Sequence, residues 1–233
     1  MAKRGKEYEQ VVGQVEKAKA YELTEALELL MKTHHVKFDE TVELHLRMGI
    51  DPRAGDQQVR GIAQMPHGLG KTTRVLVFAQ GDAARIASEG GADYVGADDL
   101  IKKVEDGWVD FEMAIATPDM MPKIGRLGKV IGRRGLMPNP KSGTVVAADN
   151  LLRVIQEARK GRVEFRPDRT GIIHVVVGKL SFPTEHLAEN LASVIDAIVR
   201  ARPSGAKGQF IQRATLSSTM GLGIRLDLRP LLS

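Results

Sequence analysis

Six cations stand between Lys123 and Thr144, at Lys123, Arg126, Lys129, Arg133, Arg134 and Lys141, and the run KIGRLGKVIGRRGLMPNPKSGT holds no carboxylate. Glycines at Gly125, Gly128, Gly132, Gly135 and Gly143 are interleaved with them. Glycine lets another molecule approach the backbone closely, and Pro138 and Pro140 stiffen the end of the run. Cations on an approachable backbone suit phosphates, through contacts that salt weakens steeply. A solvated basic loop is the competing reading.

The other reactive residue types assemble no catalytic set. His34 and His35 are adjacent and cannot share a helix face at metal-ligand spacing. No Gly-x-Ser-x-Gly elbow and no His-Glu-x-x-His occurs. Asp98-Asp99 and Asp106…Asp110 read as helix ends and turns. Gly70-Lys71-Thr72 matches the end of a phosphate-binding P-loop, but Met65 stands where its first glycine belongs and a strand, not a helix, follows. Gly125-Arg-Leu-Gly128 and Gly132-Arg-Arg-Gly135 match the Gly-x-x-Gly of KH domains without the KH order of elements around them. For His45, on the polar face of a strand, a solvated or locally hydrogen-bonded imidazole is preferred over a nucleic-acid contact. No catalytic residue, metal ligand or cofactor is expected.

A chain of 233 residues, 42% apolar and 27% charged, has ordinary globular composition and room for two small domains. Its net charge of +5 and pI of about 9.4 favour an anionic partner. Only 4% of residues are aromatic, which argues against serial base stacking. There is no cysteine, so disulfides and thiolate metal sites are excluded. No apolar run reaches membrane-span length, and the N-terminus has no secretory core. A cytoplasmic location follows as an expectation.

Ala2–Lys6 reads as a short basic segment, and Glu7–Ala20 as a helix with Tyr8, Val11, Val12, Val15 and Ala18 on one face. Thr24 is placed to cap a second helix. Val42, Leu44, Leu46 and Met48 alternate with polar residues, giving a strand over Thr41–Met48. Pro52–Asp56 is a turn and Gln57–Ile62 a weaker strand. From Arg74 the pattern is strand, helix, strand, helix, strand, over 74–79, 82–88, 92–95, 98–106 and 113–116, which implies parallel pairing. Thr117 and Pro118 would open a further helix. This Rossmann-like segment reads Gln80-Gly-Asp-Ala-Ala-Arg85 where a dinucleotide site needs Gly-x-Gly-x-x-Gly. Asn150–Lys160 is a helix closed by Gly161. Arg162–Phe165 and Ile172–Val177 read as a hairpin around Pro167–Gly171. Pro183–Arg200 is a long helix, and strands follow at 208–216 and 224–228. The fold class is α/β with α+β; the change of pattern near His67 and again near Gly161 suggests, without by itself joining the two ends, a discontinuous α+β domain, 1–66 plus 161–233, with an inserted three-layer α/β domain at 67–160.

The run MMPKIGRLGKVIGRRGLMPNPKSGTV resembles the signature region of the bacterial L-one family of large-subunit (50S) ribosomal proteins, which anchor the ribosome's mobile side stalk. KFDETVE at 37–43, GADYVG at 91–96, GWVDF at 107–111 and STMG at 218–221 extend the resemblance over essentially the whole chain. Pro122, Arg133-Arg134 and Leu222 depart from the family's usual residues. The resemblance implies a discontinuous RNA-binding domain with an inserted α/β domain, and a non-enzymatic structural role. Its implied partners are stalk rRNA, exit-site tRNA and the protein's own operon mRNA, whose translation it would repress. The chain would be a monomer when free and part of the ribosome when bound, with no membrane association. Lys37, Phe38, Glu40, Thr41, Lys179, Ser181, Phe182, Ser218, Thr219, Met220 and Gly221 would form the rRNA and mRNA site. The six cations of the glycine-rich run, with Arg53 and Arg60, would face tRNA. The rival expectation is an enzyme or ligand-binding protein holding a nucleotide in a cleft between the domains.

Overall fold

The computed structural model describes residues 5–16 and 18–229; the basic segment expected at 2–6 falls outside them as far as Arg4. The chain folds as two compact units, one made by the chain up to Gly70 together with the chain from Val163, the other by Lys71–Arg162. The first unit opens with helices α1 (Lys6–Val12) and α2 (Leu23–Lys32) and strands β1 (Thr41–Met48) and β2 (Gly61–Gln64). The second contains β3 (Val75–Phe78), α3 (Asp82–Glu89), β4 (Tyr94–Gly96), α4 (Asp98–Glu105), β5 (Met113–Ala116), α5 (Met121–Ile124) and α6 (Ala148–Lys160). The chain closes with β6 (Arg162–Phe165), β7 (Ile172–Lys179), α7 (Thr184–Arg200), β8 (Ile211–Ser218) and β9 (Ile224–Leu226).

In the first unit β1 lies inside a four-stranded sheet of order β7-β1-β8-β9, and every pairing is antiparallel. Its alternation buries Val42, Leu44, Leu46 and Met48. They share one core with Ala26, Leu27 and Leu30 of α2, and with Leu187, Leu191, Val194, Ile195 and Ile198 of α7. The helices thus cover one face of the sheet and leave the other to solvent. β2 pairs with β6. Gly61 permits this, because a side chain there would meet the Phe165 ring at 2.6 Å.

The second unit has a parallel sheet of order β4-β3-β5. All four β3 residues are buried, as expected of a strand covered on both faces. Leu76 and Phe78 pack with Leu100, Ile101 and Val104 of α4. Val75 and Val77 pack with Ala87 of α3 and with Leu151, Val154 and Ile155 of α6. That is a three-layer α/β unit. Ahead of β3, the Glu112 carboxylate accepts from the Arg74 amide at 2.9 Å, from Nε at 3.1 Å and from Nη2 at 2.9 Å. These bonds, led by the guanidinium, hold the Glu112 carboxyl at about 2.

Four local expectations are corrected. The first helix stops at Val12 rather than running to Ala20, because Gly13 follows and glycine costs about 1 kcal/mol inside a helix. Val15 is still buried, but Ala18 is exposed. Thr24 lies inside α2, whose N-cap is Glu22, and Thr117 makes no side-chain cap. The hairpin over 162–177 does not form: β6 pairs with β2 and β7 with β1, leaving one bridge between Pro167 and Ile173. Its turn is present, with Oδ1 of Asp168 accepting the amides of Thr170 and Ile172 at 2.8 Å each. Non-local partners took the ladders on either side of that turn.

Leu44→Ala should cost about 2–5 kcal/mol of stability, read by urea unfolding, since the cavity opens beneath the central strand. Glu112 has a folded carboxyl depressed to about 2 from 4.5, so its contribution is present above 4.5 and fades as pH falls toward 2. The melting temperatures of wild type and Glu112→Gln should therefore differ near neutrality and converge through that window.

Candidate nucleic-acid interface

The register of β1 between its neighbours decides which residues meet at one end of the sheet. Thr41 stands opposite Lys179 of β7, and Val42 opposite Ser218 of β8. The segment 37–40, the turn 219–221 and the start of 180–182 are thereby brought together. The Thr41 amide donates to Oγ1 of Thr219 at 3.1 Å. Nζ of Lys179 donates to Oγ1 of Thr41 at 3.0 Å and to the Asp39 carbonyl at 3.3 Å. The Asp39 carboxylate accepts the Ser181 amide at 3.1 Å and its hydroxyl at 2.8 Å.

Two large apolar side chains project from this frame, Phe38 at 50% and Met220 at 55% exposure. Phe38 is therefore not a core residue. With Met31, His34, Lys37, Asp39, Leu180 and Ser181 it lines an open cavity of about 340 Å³. Exposed apolar rings and thioethers beside a lysine and hydroxyls offer stacking, ribose and phosphate contacts together. Gly221 is required sterically, since a side chain there would run into Oγ of Ser218.

Glu40, expected as a polar RNA contact, is 0% exposed. Its Oε1 accepts the Met220 amide at 2.7 Å and its Oε2 meets Nδ1 of His34 at 2.7 Å. Burial removes it from direct contact and makes it the strut of the 219–221 turn. Phe182 is likewise half-buried, packed against Gly178 and Gly70, and Ser218 is buried. Lys37, Thr219 and Ser181 are exposed. Sequence reasoning gave Asp39 and His34 no role; Asp39 lay within the quoted KFDETVE run, and its pairing with Ser181 became visible only in three dimensions.

The basic run is not a loop. Through α5, the 3₁₀ turn Gly125–Lys129 and further turns it buries Ile124, Leu127 and Ile131. The Leu136 amide returns to the Ile131 carbonyl at 3.0 Å, and Gly135 supplies the left-handed φ of 73°. The helical spacing 124, 127, 131 was the signal, masked by the glycines. Lys123 pairs with Asp98 at 3.0 Å and Arg126 with Glu105 at 2.8 Å. Lys129, Arg133, Arg134 and Lys141 are exposed, and no ion pair engages them among the described residues. Arg53 and Arg60 belong to the other unit, and Arg60 pairs with Glu164 at 2.6 Å.

The rival sites find little support. β3 follows Gly70-Lys71-Thr72, and Lys71 pairs with Glu112 at 3.3 Å. His45 is locally bonded, through Nδ1 to His174 at 2.8 Å and through Nε2 to Ser217 at 2.9 Å. Among the described residues no group of three or more His, Cys, Asp or Glu could hold a metal ion, and no helix is long and apolar enough to cross a membrane.

Glu40→Ala would remove the buried acceptor of the Met220 amide, at a cost of about 1–3 kcal/mol in thermal or urea unfolding. Glu40→Gln keeps an acceptor there and should recover a substantial part of that loss.

Residues 30–222 match the ribosomal protein L1p/L10e family. The large ribosomal subunit protein uL1 of Dehalococcoides mccartyi is 58% identical over 229 residues, 98% of this chain and 97% of that protein. The proteins of the same name from Chloroflexus aurantiacus and Thermomicrobium roseum are each 54% identical, over 97% and 98% of this chain and 96% and 95% of their own lengths.

Proposed function

This chain belongs to the ribosomal protein L1p/L10e family, and from that premise we propose that it is a non-enzymatic structural constituent of the large ribosomal subunit. Its discontinuous domain, 1–66 plus 161–233, grips the rRNA of the mobile side stalk at the Thr41–Thr219 end of the sheet. The observation that carries this reading is the convergence of exposed Phe38 and Met220 with Lys179, Thr41 and Thr219 on one hydrogen-bonded frame. Apolar faces take bases or riboses, hydroxyls take 2′-OH groups, and the ammonium takes phosphate. Shape and backbone contacts of this kind hold a folded RNA element.

The inserted domain, 67–160, presents Lys129, Arg133, Arg134 and Lys141 to exit-site tRNA and assists its movement and release. Their freedom from internal carboxylates supports this reading, because an unpaired cation gives up no partner on meeting phosphate. The free protein, a cytoplasmic monomer, binds its own operon mRNA through the rRNA site and represses translation. The cations of Lys123, Arg126 and Arg60 serve mainly their own ion pairs.

A stalk rRNA fragment titrated by filter binding tests the division of labour. Thr219→Ala should weaken binding by about 1–2 kcal/mol, while Arg133→Ala/Arg134→Ala leaves it unchanged. If only the arginine variant loses affinity, the two sites have been assigned the wrong way round.

A further inference from the structure

The solvent face of the four-stranded sheet continues from the Thr41 end. Thr41, Glu43, His45 and Arg47 share one face of β1 by their period of two. Register sets His45 between His174 and Thr215, Arg47 beside Arg213, and Thr215 beside Arg225. Arg47, Arg213 and Arg225 are exposed, and no ion pair engages them among the described residues. Like charges directly opposite on neighbouring strands destabilise a sheet, so the Arg47–Arg213 pair is an arrangement that a bound polyanion would relieve. From Thr41 to Arg47 the face runs roughly 20 Å, about six residues of strand.

In the middle of this face lies the His45–His174 pair. The two Nδ1 atoms are 2.8 Å apart, so they hold one proton between them, one ring donating and the other accepting. Nε2 of His45 reaches Oγ of Ser217 at 2.9 Å. The charged groups facing the pair are Glu43, 3.9 Å from Nε2 of His45, and Asp168, 3.8 Å from Nε2 of His174. Arg47 and Arg213 flank it along the strands, and the helices lie on the opposite face. Taking up one further proton turns one of the two rings into a cation, a charge that an anion settling over the face stabilises.

We propose that this open face is a second phosphate-contacting surface for the same RNA, with Arg47, Arg213 and Arg225 as its anchors and the His45–His174 pair taking up a proton as the RNA binds. The proposal rests on the rRNA-binding reading of the Thr41–Thr219 end and extends its footprint along β1. Burial, and then the neighbouring His174, hold the His45 imidazole below its usual range. The signs are therefore opposite for the two equilibria. A depressed imidazole leaves the folded protein with fewer protons than the unfolded chain, so stability falls as pH drops through the imidazole range. RNA affinity rises over the same range, because binding draws the proton in.

The experiment is a salt and pH series with the stalk rRNA fragment and the full chain. Arg47→Ala/Arg213→Ala should lower affinity roughly tenfold at low salt and reduce the slope of log K against log salt by about 1.5, near the value for two lost phosphates. Arg47→Lys/Arg213→Lys keeps the charge and should keep the slope, which separates phosphate contact from a folding defect. Thr219→Ala should weaken binding and leave the slope in place. Wild-type affinity should rise between about pH 8 and about pH 6, and His45→Gln/His174→Gln should flatten that rise. Should the arginine-to-alanine variant keep both affinity and slope while Thr219→Ala still loses affinity, the extended surface is wrong and the end site stands. An unaltered pH profile in the histidine double variant overturns the proton uptake. Failure of the wild type to bind the fragment overturns the rRNA reading and this extension together.

Discussion

The constraint on which the first unit depends is that Thr41–Met48 must satisfy two neighbours at once. An inner strand has no free edge, so its register against β7 and against β8 is set by hydrogen bonds on both sides. A slip of one residue on either side would turn Val42, Leu44 and Leu46 out of the core. Residues more than 130 positions apart, such as Thr41 and Lys179, are held together by that double pairing. The cluster of residues at the sheet end is thus a consequence of the same pairing that packs the core.

Glu40 extends those hydrogen bonds past the last ladder bond. A buried carboxylate is costly unless its hydrogen bonds are made, and here both oxygens are used, one on the Met220 amide and one on His34. The exposed Met220 side chain is consequently carried by a turn with a buried anchor. Phe38 projects two residues before the same anchor. Apolar groups displayed on a fixed frame lose little further freedom on binding, which is the physical advantage of preorganisation.

The inserted unit solves a different problem. A row of cations repels itself, and a loop bearing one would be loose. Ile124, Leu127 and Ile131 drive the run into the α4 side of the sheet, and Asp98 and Glu105 of α4 neutralise Lys123 and Arg126. What stays unneutralised is the outer rim at Lys129, Arg133, Arg134 and Lys141. Charge is thereby divided between cations paired within the fold and cations left exposed.

Much of this was legible in the residues. Alternation in β1, the all-apolar β3 and the long amphipathic α7 are local signals, because burial of one face or two writes its period directly into neighbouring residues. The STMG and KFDETVE runs pointed to the candidate interface through their resemblance to a known family, not through residue type alone. Other features were not legible, for reasons that are also physical. A strand does not name its partner, so the apparent hairpin over 162–177 dissolved into two ladders with distant strands. A carboxylate does not announce its burial, so Glu40 read as a contact rather than a strut, and glycine-rich sequence hid the helical turns of the basic run. The sequence by itself determined which segments are apolar, which period they follow and which cations are available. The tertiary structure alone decided which strands pair, which polar groups are buried and which cations remain free, because those outcomes depend on distances between residues that are far apart in the chain.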